Sequence, residues 1–298
     1  MVQVGNPQCV APTADVCGEG AVWHSDEQAL YWTDINRFLV HRFTPKDNCV
    51  RTWLFDEPVT ALVLTSRHDT LLVILGSRAL FWLPKSDIRR DHGFRLEGWP
   101  LVRCNDARAD PRGSLWIGSM ANNVNADGST GSVEGARGIL FRVDPDGSVR
   151  EWKHEIGIAN TLAWNPERTR FYTADTLANS ISVYEYEYAT GEIRNERPFF
   201  CGFPRGLPDG SAMDSEGHLW NCRYGGRCIV RVAPDGRLDQ VIEMPVDNVT
   251  TCTFGGPDLR TLYITTALSR RGSGGRFAGG LFALETSVKG QPENQFGL

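Results

Sequence analysis

The stretch Asn105-Asp-Ala-Arg-Ala-Asp-Pro-Arg-Gly-Ser-Leu-Trp-Ile-Gly118 reads as a short strand, a turn and a second strand. Pro111 presets its own φ, while Asp110 and Gly113 are the residues that open and close such turns. Ser114-Leu-Trp-Ile-Gly118 then supplies the aromatic and branched side chains that suit a pleated surface. The same phrase recurs along the chain. The other turns are Ser25-Asp-Glu, Ser66-Arg-His-Asp, Asn165-Pro-Glu-Arg, Asp214-Ser-Glu-Gly and Gly256-Pro-Asp, each followed by a strand such as Ala29-Leu-Tyr-Trp-Thr33 or Thr261-Leu-Tyr-Ile-Thr-Thr266. Aligning the units puts Glu19, Thr60, Asn105, Asn160, Asp209 and Thr250 at one equivalent position, with separations of 41, 45, 55, 49 and 41 residues. A repeat of about 45 residues holds about four short strands, which is the pattern of a β-propeller blade. The downstream halves agree, since Gly138-Ile-Leu-Phe-Arg-Val-Asp-Pro-Asp-Gly147 matches Cys228-Ile-Val-Arg-Val-Ala-Pro-Asp-Gly236. The predicted fold is all-β, a six-bladed propeller in one domain over residues 1–298. Its N-terminal stretch donates a strand to the last blade and so closes the ring.

Composition narrows the function classes. With 31 Lys+Arg against 36 Asp+Glu the formal charge is −5, so no basic face exists to collect nucleic-acid phosphates. Only Lys46, Lys85, Lys153 and Lys289 are lysines, which leaves no polybasic segment for a membrane surface. No apolar run reaches spanning length, and the N-terminus lacks the charged and apolar regions of a signal peptide. The expected compartment is the cytoplasm, with neither nucleic acid nor membrane as partner. The eight cysteines contain no CxxC pair and are expected to be free thiols. The histidines show no HxH or HxxxH spacing, and GxSxG, GxGxxG and GxxxxGK are absent.

The equivalent position carries the chemistry. In a propeller the innermost strands line a central channel, so equivalent residues form a ring about one axis. Here the ring reads Glu19, Thr60, Asn105, Asn160, Asp209 and Thr250, all polar within apolar strands. A Glu, an Asp and two Asn aimed at one point make a hard, oxygen-only donor set with two negative charges. Such a set suits Ca²⁺, Mg²⁺ or Mn²⁺, and Zn²⁺ less selectively. Arg103, two residues before Asn105, alternates to the same strand face and is placed to hold substrate oxygens. Cys104 between them is expected to face the blade core, and Asp106 to brace an inter-blade turn. Asp34 and Asp175, at the ends of second strands, read either as groups supporting the ring or as turn caps. The tryptophans at 23, 116, 164 and 220 read as inter-blade packing. Two Gly-rich stretches, Ala121–Arg137 and Ser269–Gly279, interrupt the rhythm as lids or plain surface loops.

Four motifs resemble a known family. Cys17-Gly-Glu-Gly-Ala-Val-Trp23, Arg103-Cys-Asn-Asp106, Ala159-Asn-Thr-Leu-Ala-Trp164 and Leu207-Pro-Asp-Gly210 are similar to those of the SMP-30/gluconolactonase/regucalcin-like proteins, six-bladed propellers that hydrolyse sugar lactones. The resemblance covers essentially the whole chain. It departs at Ala21, where the family often has Pro, which touches turn stiffness rather than ligation. The resemblance implies one divalent metal ion (Ca, Zn, Mg, Mn or Fe) held by Glu19, Asn160 and Asp209. It also implies Arg103 and Asn105 as substrate contacts, and Asp209, sharing the cation through one oxygen, is expected to be the catalytic group that steers or deprotonates water with the other. The expected reaction is hydrolysis of an aldonolactone to its acid. A metal-dependent esterase or phosphotriesterase on the same propeller, and a non-catalytic binding module, are the competing classes.

Overall fold

Each turn singled out in the sequence joins two antiparallel strands in the computed structural model, which describes residues 2–269 and 275–298. Among the described residues every helix or strand is a strand, and the strands form six four-stranded sheets. The innermost strands are Gly18–His24, Val59–Leu64, Val102–Ala109, Ala159–Trp164, Leu207–Met213 and Asn248–Gly255, which open blades 1 to 6. Each packs against the next and the sixth against the first, so the ring closes about an axis. Within blades 1 to 5 the chain meanders outward. Blade 6 takes its outermost strand from the N-terminus, where Gln8–Ala11 pairs antiparallel with Leu281–Glu285. The six-bladed, all-β expectation and its N-terminal closing strand are therefore met. The stretch Ser269–Gly279 lies partly outside the described residues.

The recurring turn is a knot of hydrogen bonds. Asp110 accepts from Ser114 N (2.9 Å) with one carboxylate oxygen and from Trp116 Nε1 (3.0 Å) with the other. Asp214 does the same with His218 N (2.9 Å) and Trp220 Nε1 (2.9 Å). Each aspartate thus caps its turn and satisfies an indole N–H that the blade interface would otherwise bury unpaired. Trp116 and Trp220 are fully buried, Trp164 packs on Phe171 at 4.8 Å, and Trp23 stacks on Tyr263 at 5.4 Å. These tryptophans are packing residues, as their strand positions indicate.

Every innermost strand carries a register shift at the ring position. The pairing breaks between Glu19 and Val22, Val59 and Ala61, Cys104 and Ala107, Asn160 and Ala163, Pro208 and Ser211, and Val249 and Cys252. A bulge bends the strand and re-aims a side chain that regular pleating would spend on a neighbouring blade. Local sequence supports it. Gly20 supplies a left-handed φ of 59°, and a Cβ there would meet Ala61 Cα at 2.9 Å. In blade 4 the equivalent residue is Thr161, β-branched yet at φ 56°. Its strain is held by its hydroxyl, which donates to Asp209 O (2.6 Å) and bonds Ser211 Oγ (2.7 Å).

The C-terminal residues strap the opposite end of the ring. Gln291 N donates to Met213 O (2.9 Å), Phe296 N to Leu64 O (2.8 Å) and Gly297 N to Gly113 O (2.9 Å), joining blades 5, 2 and 3. Phe296 is buried, and Glu293 pairs with Arg108 on the innermost strand of blade 3. All eight cysteines are free, and Cys104 is fully buried in the packing of blades 2 and 3.

Candidate active site

At the other end of the axis lies a cavity of about 620 Å³ whose lining includes Glu19, Arg103, Asn105, Asn160 and Asp209. All five residues singled out in the sequence meet there, and each is buried. The two threonines of the ring do not join them in that lining. Thr60 donates to Ile74 O (3.3 Å) and Thr250 to Gly18 O (2.5 Å), so both hydroxyls serve the blade backbone.

A relay of amides fixes the floor. Asn105 Nδ2 donates to Asn160 Oδ1 (2.9 Å) and to Ala159 O (2.9 Å), while Asn160 Nδ2 donates to Thr176 Oγ1 (2.9 Å). Thr176 Oγ1 in turn donates to Pro208 O (2.8 Å), beside Asp209. Arg103 Nη1 donates to Asn105 Oδ1 (2.7 Å), and its Nη2 to Asn123 Oδ1 (3.0 Å). The amide donors thus face protein partners, and Asn160 Oδ1 keeps a second lone pair for the cavity. Upstream, Asp34 accepts the N–H groups of Val16 and Cys17 (3.0 and 3.2 Å), and Asp175 those of Gly157 and Ile158 (2.9 and 3.3 Å). Both aspartates are turn caps, and each pins the chain entering the strand that bears Glu19 or Asn160.

The carboxyls are electrostatically exposed to one another. Burial pushes Glu19 well above the usual carboxylate range, and the charges of Asp209 and Asp106 push the same way. Asp209 is also raised well above it, by burial first and then by Asp106, although the Gly210 N–H, Arg103 and Arg223 pull it down. Neither acid has an ion-pair partner within salt-bridge distance among the described residues. Two buried acids beside two amide oxygens form a donor set that a divalent cation fits, because it would relieve both burial and repulsion. Asp106 exceeds its expected role. It is buried, its charge acts on both acids, and Arg108 and the Ala107 and Thr161 backbone N–H groups oppose the burial that raises its own pKa. A second acidic cluster, Asp214, Glu216 and His218, sits at the blade 5 turn. Arg231 already pairs there with Asp214 (2.8 Å) and Glu216 (2.7 Å), so no comparable demand for a cation exists.

Sequence reasoning missed Asn123, Asn36 and Thr176. Asn123 and Thr176 come just after second strands, a repeated place that was read only through Asp34 and Asp175. Asn36 Nδ2 donates to Gly128 O (2.8 Å) and Thr130 Oγ1 (3.0 Å), tying the Ala121–Arg137 loop to blade 1. Thr130 and Val133 of that loop line the cavity, so it flanks the mouth.

Fold and site together define a six-bladed propeller with an acid- and amide-lined axial cavity, and comparison with known proteins places it further. Residues 17–268 match the SMP-30/gluconolactonase/LRE-like region. The chain belongs to that family. It is 36% identical to the pentonolactonase XacC of Haloferax volcanii, covering 95% of this chain and 96% of that one. It is 30% identical to regucalcin of Homo sapiens over 95% of each. The solved calcium-binding regucalcin of Agrobacterium tumefaciens superposes with a TM-score of 0.90 at 26% identity, covering 99% of this chain and 98% of that one.

Proposed function

We propose that the chain is a lactonase that hydrolyses a sugar lactone, of the pentono- or gluconolactone kind, to the open-chain sugar acid. In this reading residues 1–298 act as one domain, and one divalent ion is held by Glu19, Asn160 and Asp209. The observation that carries it is the convergence of two buried carboxyls and two amides on the floor of one cavity beside the Arg103 guanidinium. The family and the pentonolactonase relative support the lactone, and the calcium-binding neighbour supports the metal.

The residues divide the work. Arg103, oriented by Asn123, Asn105 and Cys104 O, offers its remaining Nη2 N–H to a ring or hydroxyl oxygen of the lactone. Asn105 and Asn160, locked by their relay, hold the floor in one geometry before substrate arrives. Asp209 accepts the proton of the attacking water, with one carboxylate oxygen free for that role while the other would face the cation. Addition of the hydroxyl to the carbonyl carbon gives a tetrahedral intermediate, whose collapse re-forms the carbonyl and breaks the ring C–O bond while the leaving oxygen takes back the proton that Asp209 received. A bound divalent cation supplies Lewis acidity to a carbonyl oxygen and acidifies water.

The test is acid release, followed with a pH indicator, from a panel of aldonolactones before and after chelation. Lactone turnover that disappears with chelator and returns with added divalent cation supports the reading. Turnover of aryl esters or organophosphates with none of lactones would move the activity to that class.

A further inference from the structure

The walls of the cavity differ in chemistry from its floor. Along an inner strand the residue two positions before the ring lies on the same face, one step nearer the mouth. In the six blades that tier reads Cys17, Pro58, Arg103, Ile158, Leu207 and Asn248. Arg103 is turned onto Asn105 and Asn123, and Asn248 Nδ2 donates to Leu268 O (3.0 Å). The members that line the cavity beside Arg103 are Cys17, Ile158 and Leu207. Burial pushes the Cys17 thiol well above its usual range, which keeps it neutral. Above this tier Val16, Ile35, Val133, Leu177 and Leu268 continue the wall, and Leu177 is 49% exposed.

Among the described residues, the polar side chains Asn36, Asn123 and Thr130 belong to blade 1 and the tethered loop side of the cavity, whereas Ile158, Leu177 and Leu207 come from blades 4 and 5. Asn36 Nδ2 holds the loop, and Thr176 donates to Pro208 O. Tyr224 and Ser269 each have a contact of their own. A sugar hydroxyl held on the floor meets Arg103 and the amides, whereas one directed at the wall of blades 4 and 5 meets the branched carbon of Ile158, Leu177 and Leu207.

We propose, building on the lactonase reading, that the site selects deoxyaldonolactones, whose terminal carbon carries a methyl in place of a hydroxymethyl group. The carbonyl and the hydroxyls next to it face the floor, and the methyl end lies against the collar of Ile158, Leu207 and Leu177. A terminal hydroxyl there loses water and finds no partner on this wall, which costs binding in the transition state as well as in the ground state. The expected discrimination is about tenfold in kcat/KM, the scale of one misplaced polar group in an apolar pocket.

Matched substrates test it on the cation-loaded full chain. L-Galactono-1,4-lactone is compared with its 6-deoxy counterpart, and L-mannono-1,4-lactone with its own. The deoxy member should be favoured about tenfold in at least one pair, and Ile158→Asn should reduce that preference to about twofold or reverse it. Leu207→Asn serves the same purpose if the first variant does not fold. Equal or better turnover of the hydroxylated members overturns the proposal while leaving the lactonase reading intact. A preference unchanged in both variants also overturns it, because the collar would not be its source. If neither member of either pair, nor any aldonolactone of the earlier panel, is opened, the lactonase reading falls and this one with it.

Discussion

Asp209 is the residue on which the chemistry turns. Asp209→Asn keeps shape and one carbonyl oxygen but removes charge and any base function. Turnover of a lactone at saturating cation should fall by at least about a hundredfold, the scale of lost base catalysis. Circular dichroism should be unchanged, since Asp209 backbone O, which Thr161 and Asn221 bond at 2.6 and 3.0 Å, is untouched by the substitution. Near-normal turnover in the folded, metal-loaded variant would move water activation to Glu19. The cysteines give a second test at this scale. All eight are free, so thiol titration of denatured, unreduced protein should recover about eight, and recovery of half or fewer would contradict the structure. Arg103 and Asn105 were legible as site residues from their spacing alone. Asn123 was not, because its place just after a second strand recurs from blade to blade, but its turn toward Arg103 depends on tertiary packing.

The element that most affects access is the Ala121–Arg137 loop. Its length marks it in the sequence, yet its tie to Asn36 joins residues about 90 positions apart and belongs to tertiary packing. Gly128 is part of that tie, with φ 80° and no room for a side chain, since a Cβ would meet Asn36 O at 2.3 Å. Asn36→Ala removes both hydrogen bonds and frees the loop over the mouth. KM should rise severalfold while the melting temperature changes little, because loop ordering costs binding more than it supports the blades. Unchanged KM across the lactone panel would make the tie irrelevant to substrate. The same scale explains the ring. Period-2 alternation alone would have sent half of an inner strand's side chains into the axis. The bulge ends that run, so the ring residues Glu19, Asn105, Asn160 and Asp209 and those two positions before them line the cavity, while the innermost-strand residues beyond the bulge do not.

For the whole molecule, the ring is closed twice, by the N-terminal strand at the rim of blade 6 and by the C-terminal strap across the far face. Phe296 anchors that strap between blades 2 and 3. Phe296→Ala should lower the unfolding free energy by about 3 kcal/mol, as for other buried aromatic truncations, with lactone KM unaffected. Urea denaturation with parallel kinetics measures both. His92 lies 5.5 Å from the Phe296 ring and 5.1 Å from Phe81, and its burial lowers its pKa, only partly opposed by Asp91. The folded state therefore binds fewer protons than the unfolded one as pH falls through about 6.5, and stability drops over that window. The loss of stability between pH 7.5 and 5.5 should be smaller in His92→Phe than in the unsubstituted chain. An identical loss would mean that other groups set the acid response.

From sequence alone came the repeat, hence the six blades, and the ring position, hence the acids and amides of the floor. Both are periodic signals, and a period survives in one dimension because each blade solves the same burial problem with the same local pattern. Tertiary structure decided what no period encodes. It turned Thr60 and Thr250 onto backbone carbonyls while Glu19, Asn105, Asn160 and Asp209 faced the cavity. It brought Asp106 into the field of both acids, and it laid the C-terminal strap across blades distant in sequence. Those outcomes depend on which neighbour is nearest after the ring closes, and that distance is set by the packing of whole blades rather than by any local choice of residue.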